Sequence, residues 1–195
     1  MAEPSPRRPS RGGEERQQAA NWSGRRRRAR AQIGGDSARG ILHVISWLRQ
    51  PVRLVFDTDV MVAALGSDRG ASRQLLQAAL DGRLSLLMSV PLLIEYEAVL
   101  TRSEHLDVIG LSSAEVNQVL DAVAKISTPV PLRFLWRPRL KDPADEMVLE
   151  TAVNGCADRL VTFNIRHLAD SARDFGVRVM RPSEAWKEVQ RHEKK

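Results

Sequence analysis

From Arg53 to the end of the chain, short apolar runs alternate with longer stretches whose apolar residues recur at helical spacing. Leu54-Val55-Phe56, Leu84 to Met88, Arg159 to Thr162 and Val177 to Met180 read as strands, and Thr128 to Pro131 as a short extended piece. Between them, Val60 to Leu65, Ser72 to Leu80, Pro91 to Leu100, Ser112 to Ile126 and Asp142 to Val153 read as helices, and Pro182-Ser183-Glu184 opens a last one. Asp81-Gly82 supplies a stop signal, and Ser89 with Pro91 a start signal. Strands that alternate with helices argue for an α/β fold, a parallel sheet covered by helices. In such a sheet the binding crevice lies outside the carboxyl ends of the strands.

That rule sorts the polar residues. Asp57 directly follows the first strand in Val55-Phe56-Asp57-Thr58-Asp59-Val60, so it points into the crevice; an Asx turn or helix cap is the structural alternative. Asp59 adds a second carboxylate two residues on. Asn164 follows Leu160-Val161-Thr162 at the same edge, whereas Asp158 precedes that strand and falls at the opposite edge, where a structural role fits. Glu95 and Glu97 both border the apolar stripe of Leu92, Leu93, Tyr96, Val99 and Leu100. Periodicity does not choose between them, but Glu95 lies nearer the preceding strand end. Asp142-Pro143 has the form of an N-cap followed by proline at the first helical position. Asp145, three residues after that cap, could support the first turn through the helix dipole or reach a metal. Thr58, Ser89 and Thr162 could orient a ligand or water. Like charges repel and burial penalises them, so acids gathered at one edge need compensation. A divalent cation engaged in phosphoryl or phosphodiester chemistry is the usual one.

Charge divides the chain in two. Residues 1–50 hold 11 Arg and 4 acidic residues, a net of +7, and residues 51–195 hold 19 basic and 20 acidic residues, a net of −1. The first 40 residues are rich in Pro, Ser, Gly, Arg and Gln, and are expected to be disordered. The expected division is therefore a basic tail over 1–50 and a single domain over 51–195. The run Arg25-Arg26-Arg27-Arg28-Ala29-Arg30 fits a nucleic-acid-contacting arm, but a solvated tail or a leader translated from an early start is the favoured reading. The near-neutral domain removes the simple argument from basic charge to nucleic-acid binding by the folded part. The single cysteine, Cys156, excludes a disulfide framework and a cysteine-rich zinc site, and the four histidines show no metal-ligand spacing. No apolar run approaches the roughly 20 residues needed to span a bilayer, and no secretory h-region is evident, so a cytoplasmic protein is expected.

Four motifs carry a resemblance: Val55-Phe56-Asp57-Thr58-Asp59-Val60, Glu95-Tyr96-Glu97-Ala98-Val99-Leu100, Asp142-Pro143-Ala144-Asp145, and Ala157-Asp158-Arg159-Leu160-Val161-Thr162-Phe163-Asn164. Together, in this order and over residues 53–190, they resemble PIN-domain ribonucleases, in the branch of toxin components of toxin–antitoxin systems. The resemblance implies a three-layer fold, with a central parallel sheet flanked by helices, and a Mg²⁺- or Mn²⁺-dependent endoribonuclease. It assigns Asp57, Glu95 and Asp145 to the metal and Asn164 to the fourth catalytic position, which is Asp in many members and Asn in others. Asp142 matches an acid common in this branch. Asp59 stands where the family more often has Asn, so one charge is lost at the fourth position while another appears beside the first. Attack by a metal-activated water, leaving a 3′-hydroxyl and a 5′-phosphate, is implied in turn. So are a cognate antitoxin protein and a homodimer.

Two other readings share these residues. Asp57-Thr58-Asp59-Val60 also resembles the nucleophile motif of haloacid-dehalogenase-type phosphatases, with Asp57 attacking phosphorus and Asp59 as acid/base. There the strand-end Thr should precede the Lys and the late acidic pair, but Thr162 follows Lys141 and the pair, so the order fails. The non-catalytic reading is a degenerate PIN-like domain that binds RNA or a protein, kept open by the uncharged Asn164.

Overall fold

A computed structural model of the chain describes residues 51–135 and 143–193. The basic tail and Asp142 lie outside the described residues. Five strands form one sheet: β1 (Arg53–Phe56), β2 (Ser85–Met88), β3 (Thr128–Pro129), β4 (Arg159–Val161) and β5 (Arg178–Met180). Their order is β3-β2-β1-β4-β5, and every neighbouring pair is parallel. Side chains alternate between the two faces of a strand. In β1, Leu54, Val55 and Phe56 are all buried, as are Leu86 and Leu87 of β2 and Leu160 and Val161 of β4, so both faces are covered. Continuous apolar runs are what a parallel sheet buried on both faces requires. The edge strand β3 is short, exposed and carries Pro129, which has no N–H to offer a further strand.

Eight helices flank the sheet among the described residues: α1 (Thr58–Leu65), α2 (Ala71–Leu80), α3 (Val90–Leu100), α4 (Ser103–Ile109), α5 (Ser113–Ile126), α6 (Pro143–Asn154), α7 (Ile165–Asp174) and α8 (Pro182–Glu193). Helix α6 packs against β1, β2 and β4. A Cβ on Gly155 would come within 2.8 Å of the Thr151 carbonyl and of Val130, and 2.9 Å of Leu87, so only glycine lets the chain leave α6 this close to the sheet. Helix α5 starts with a capping box, Glu115 N–H donating to Ser112 Oγ at 3.3 Å and Ser112 N–H to Glu115 Oε2 at 2.8 Å.

The α/β architecture and the four apolar strands stand where the sequence places them, within a residue at each end. The structure adds two helices that the periodicity did not show. Helix α4 buries none of its residues, and α7 buries only Leu168 and Ala172 within Ile-Arg-His-Leu-Ala-Asp-Ser-Ala-Arg-Asp. Asp158 sits at the amino edge of the sheet, where its Oδ2 accepts from the Arg53 N–H at 3.0 Å, the structural role expected of it.

The strand order sets the position of the crevice. The chain builds outward from β1 to β2 and β3, then returns to place β4 and β5 on the other side of β1. Neighbouring connections therefore diverge between β1 and β4, which is the topological switch point of such a sheet.

Candidate active site

Asp57 and Thr162 leave adjacent strands at this switch point. The Asp57 N–H still belongs to the sheet, donating to the Val161 carbonyl at 2.9 Å. The carbonyl on the other side of the same peptide, that of Phe56, accepts a short hydrogen bond from the buried Tyr96 hydroxyl of α3. The Phe56-Asp57 peptide is thus clamped from both sides, which fixes where the Asp57 side chain emerges. That side chain caps α1, Oδ1 accepting from the Thr58 N–H at 2.7 Å. Its Oδ2 accepts from the Thr162 hydroxyl at 2.6 Å. Thr162 Oγ1 in turn accepts from the Asn164 N–H at 2.9 Å. A hydroxyl has one proton. That proton is committed to Asp57, so the Thr162 hydroxyl sets the direction of the carboxylate. Capping and function are therefore not alternatives at Asp57, because the cap orients the carboxylate.

Asp59 lies in the first turn of α1. Its Oδ2 accepts from the Phe163 N–H at 3.1 Å, which ties α1 to the loop after β4. Its Oδ1 is buried and has no hydrogen-bond partner among the described residues. Burial, then the neighbouring charge of Asp57, push its pKa up from 3.8 to about 6; the Phe163 and Val60 N–H groups oppose this, and Asp145 adds to it. Asp145, in the first turn of α6, is thus within electrostatic reach of Asp59, and its Oδ2 lies 4.0 Å from Nδ1 of the exposed His167. Burial also raises the Tyr96 hydroxyl well above its ordinary range, and the charges of Asp57 and Asp59 add to the effect.

Helices α3 and α6, which carry Glu95 and Asp145, are joined by a buried hydrogen bond. Thr151 of α6 donates its hydroxyl proton to the Met147 carbonyl at 2.7 Å, so the 2.6 Å contact between Ser89 and Thr151 uses the Ser89 proton. Ser89 is the N-cap of α3, accepting from the Leu92 N–H at 3.3 Å. Glu95 is half-buried one residue before Tyr96, whereas Glu97 is exposed. Among the described residues no hydrogen bond or ion pair joins Glu95 to the other acids. Asn164 stands at the start of α7, and its side chain makes no capping bond there.

Residues 53–166 match the family model described as PIN domain. The chain belongs to the PIN-domain family. PIN domains are in general nucleases and typically use divalent metals. No curated protein matches the chain. The matched segment of this PIN domain ends two residues past Asn164, and β5 completes the sheet beyond it. Among the described residues no helix is long and apolar enough to cross a membrane.

The fit of this PIN domain to a divalent cation is tested by its donor set. Among the described residues no three Asp, Glu, His or Cys side chains converge into a ready-made cage. The switch point nevertheless holds an unpartnered, buried carboxylate oxygen beside two further acids. Oxygen donors of this charge suit Mg²⁺ or Mn²⁺, and a cation would relieve the repulsion that raises Asp59. The sequence drew attention to Asp57, Asp145 and Asn164, which the fold brings to one edge. It did not show the hold of Tyr96 on β1. Thr162 and Asp59 were noted there, but their roles depend on contacts between segments about a hundred residues apart.

Proposed function

We propose that this PIN domain is a Mg²⁺- or Mn²⁺-dependent endoribonuclease that hydrolyses RNA phosphodiester bonds, and that it acts as the toxin of a toxin–antitoxin pair. The observation that carries the metal-dependent reading is the unpartnered Oδ1 of Asp59 beside Asp57 and Asp145. Asp57, Glu95 and Asp145 would hold the metal, with Asp59 as a further oxygen donor and the Asn164 amide at the fourth catalytic position. When bound, the ion supplies charge neutralisation at the scissile phosphate and activation of water near neutral pH.

The protein's own contribution is order. Thr162 and the Thr58 N–H hold the two Asp57 oxygens, and Tyr96 and Val161 hold the peptide behind them. An arrangement fixed before substrate arrives costs no reorganisation during reaction. Water adds to phosphorus in line, the bond to the 3′-oxygen breaks, and the 3′-oxygen takes up a proton. The products are a 3′-hydroxyl and a 5′-phosphate. The toxin reading rests on the resemblance in the four motifs; it implies a partner protein that covers the acidic crevice, and a homodimer.

Cleavage of a mixed RNA panel by the purified chain, with Mn²⁺, Mg²⁺ or EDTA and beside Asp57→Asn, tests the reading. Metal-dependent cuts that disappear in the variant are expected. A folded, partner-free protein that binds RNA but never cuts it would instead identify a degenerate binding domain.

A further inference from the structure

A cavity of about 550 Å³ opens beside the acids, with Thr58 and Asp59 in its wall. None of its lining residues is Lys or Arg. We propose that this cavity is a nucleobase subsite, which holds a base of the RNA next to the cleaved linkage; the proposal rests on the endoribonuclease reading of the neighbouring acids.

Four features favour a base. The walls are largely apolar, built from Val62, Val99 and Val108, so a phosphate would find no cation there, whereas the face of a base is apolar. The Phe163 ring borders the cavity and is 42% exposed, yet its backbone is pinned to Asp59 through the 3.1 Å hydrogen bond. An exposed aromatic ring on an anchored backbone beside a phosphodiester site suits base stacking. Polar groups are few and suited to the edge of a base. Ser67 Oγ accepts from the Gly70 N–H at 3.0 Å and keeps its proton to donate, and the His105 imidazole offers a donor and an acceptor. Helix α4, which brings His105 and Val108, buries none of its residues, and Val108 is 69% exposed. The helix gains apolar burial when the cavity is filled.

The covalent structure of RNA favours this occupant over a protein side chain. A ligand in this cavity lies against Asp59, and RNA carries a base within one nucleotide of any phosphate bound at the acids. The subsite predicts a base preference at one position beside the cut, and none set by charge.

The test uses the full chain and oligoribonucleotides that carry 2-aminopurine, or an abasic residue, at successive positions. Phe163→Ala and Val108→Glu are compared with the wild type, after thermal melting shows that each variant folds. Binding is read by fluorescence in EDTA, and turnover in Mn²⁺. Quenching of 2-aminopurine at one position is expected, and the abasic residue there should lower kcat/KM by roughly ten- to hundred-fold. Phe163→Ala should lose a similar factor, and the abasic residue should cost that variant little more. RNA cut equally well by all three proteins, with no quenched position, overturns the subsite and leaves the nuclease standing. Quenching without cleavage keeps the subsite and removes the nuclease. RNA neither bound nor cut removes both. Variants that handle RNA normally but escape an inhibiting protein partner overturn the proposal in favour of a protein occupant.

Discussion

At helix α8 each of two glutamates faces an arginine. Glu193 takes the guanidinium of Arg83 in two hydrogen bonds of 2.6 and 2.8 Å, and Arg83 also lies 5.3 Å over the Trp186 ring. Glu188 is held the same way by Arg159 of β4. At the ends of β1 and β4 the arrangement is reversed. Asp59 meets the charges of Asp57 and Asp145 there, and one of its oxygens has no hydrogen-bond partner among the described residues. The first region shows how this chain handles acids when nothing but stability is at issue. The second keeps acids together at a cost seen at Asp59, and the contacts that fix Asp57 and Asp59 there include the Thr162 hydroxyl and the Thr58 and Phe163 N–H groups. The unpartnered Asp59 oxygen is a place where a bound cation would add a contact that the described residues do not supply.

The largest effect that would break this comparison concerns activity. Asp57→Asn and Asp145→Asn should each lower metal-dependent RNA cleavage by roughly two orders of magnitude or more, with the far-ultraviolet circular dichroism unchanged. Wild-type rates in either would mean that the gathered acids are structural after all. Glu188→Gln, in the paired region, should leave the rate unchanged.

Next in size are the groups that fix the acids. Tyr96→Phe removes the donor to the Phe56 carbonyl and leaves that buried acceptor unpaired, at a cost of about 1–3 kcal/mol in urea unfolding. Thr162→Val removes the hydroxyl donor to Asp57 Oδ2. Both should also slow cleavage, because the Asp57 carboxylate loses its fixed direction. A stability loss with turnover intact would reduce these residues to packing.

A smaller effect sharpens the comparison through pH. Asp59 binds its proton more tightly folded, at about 6, than unfolded, at 3.8. The folded state therefore carries more protons between those values, and stability falls as pH rises from about 4 to above 6. Discounted for the solvent around a half-buried group, the loss is on the order of 1 kcal/mol. In EDTA, Asp59→Asn should flatten that slope and melt higher than the wild type at pH 7.5. A wild-type slope of the opposite sign in this window would contradict the assignment. The smallest effect belongs to the paired region, where Arg83→Ala should cost less than about 1 kcal/mol from the exposed ion pair itself, with some further loss of packing on Trp186.

The same contrast explains what could be read in the sequence. Strands β1, β2, β4 and β5 were legible because a parallel sheet buried on both faces demands unbroken apolar runs, and Leu54-Val55-Phe56 or Leu160-Val161 can hardly be anything else. Asp57 was legible because the strand ends at it. Helices α4 and α7 were not, since a helix that buries none or two of its residues writes almost no apolar stripe. At Tyr96 the stripe showed only an apolar position, because the ring packs like any core residue while its hydroxyl acts on β1, forty residues earlier. Asp59 could be noted as an extra charge, but its stranded oxygen is a property of the packed loop after β4. The expected tail over residues 1–50 and the cap at Asp142 lie outside the described residues.

Titration of the metal-free chain with Mn²⁺ by isothermal calorimetry, without RNA, tests the central claim most directly, because it asks whether the acids at the switch point form a cation site. The account predicts saturable binding in the wild type that is lost in Asp57→Asn and weakened in Asp59→Asn. Absence of saturable binding in a folded, partner-free protein, or binding indifferent to both substitutions, would contradict it.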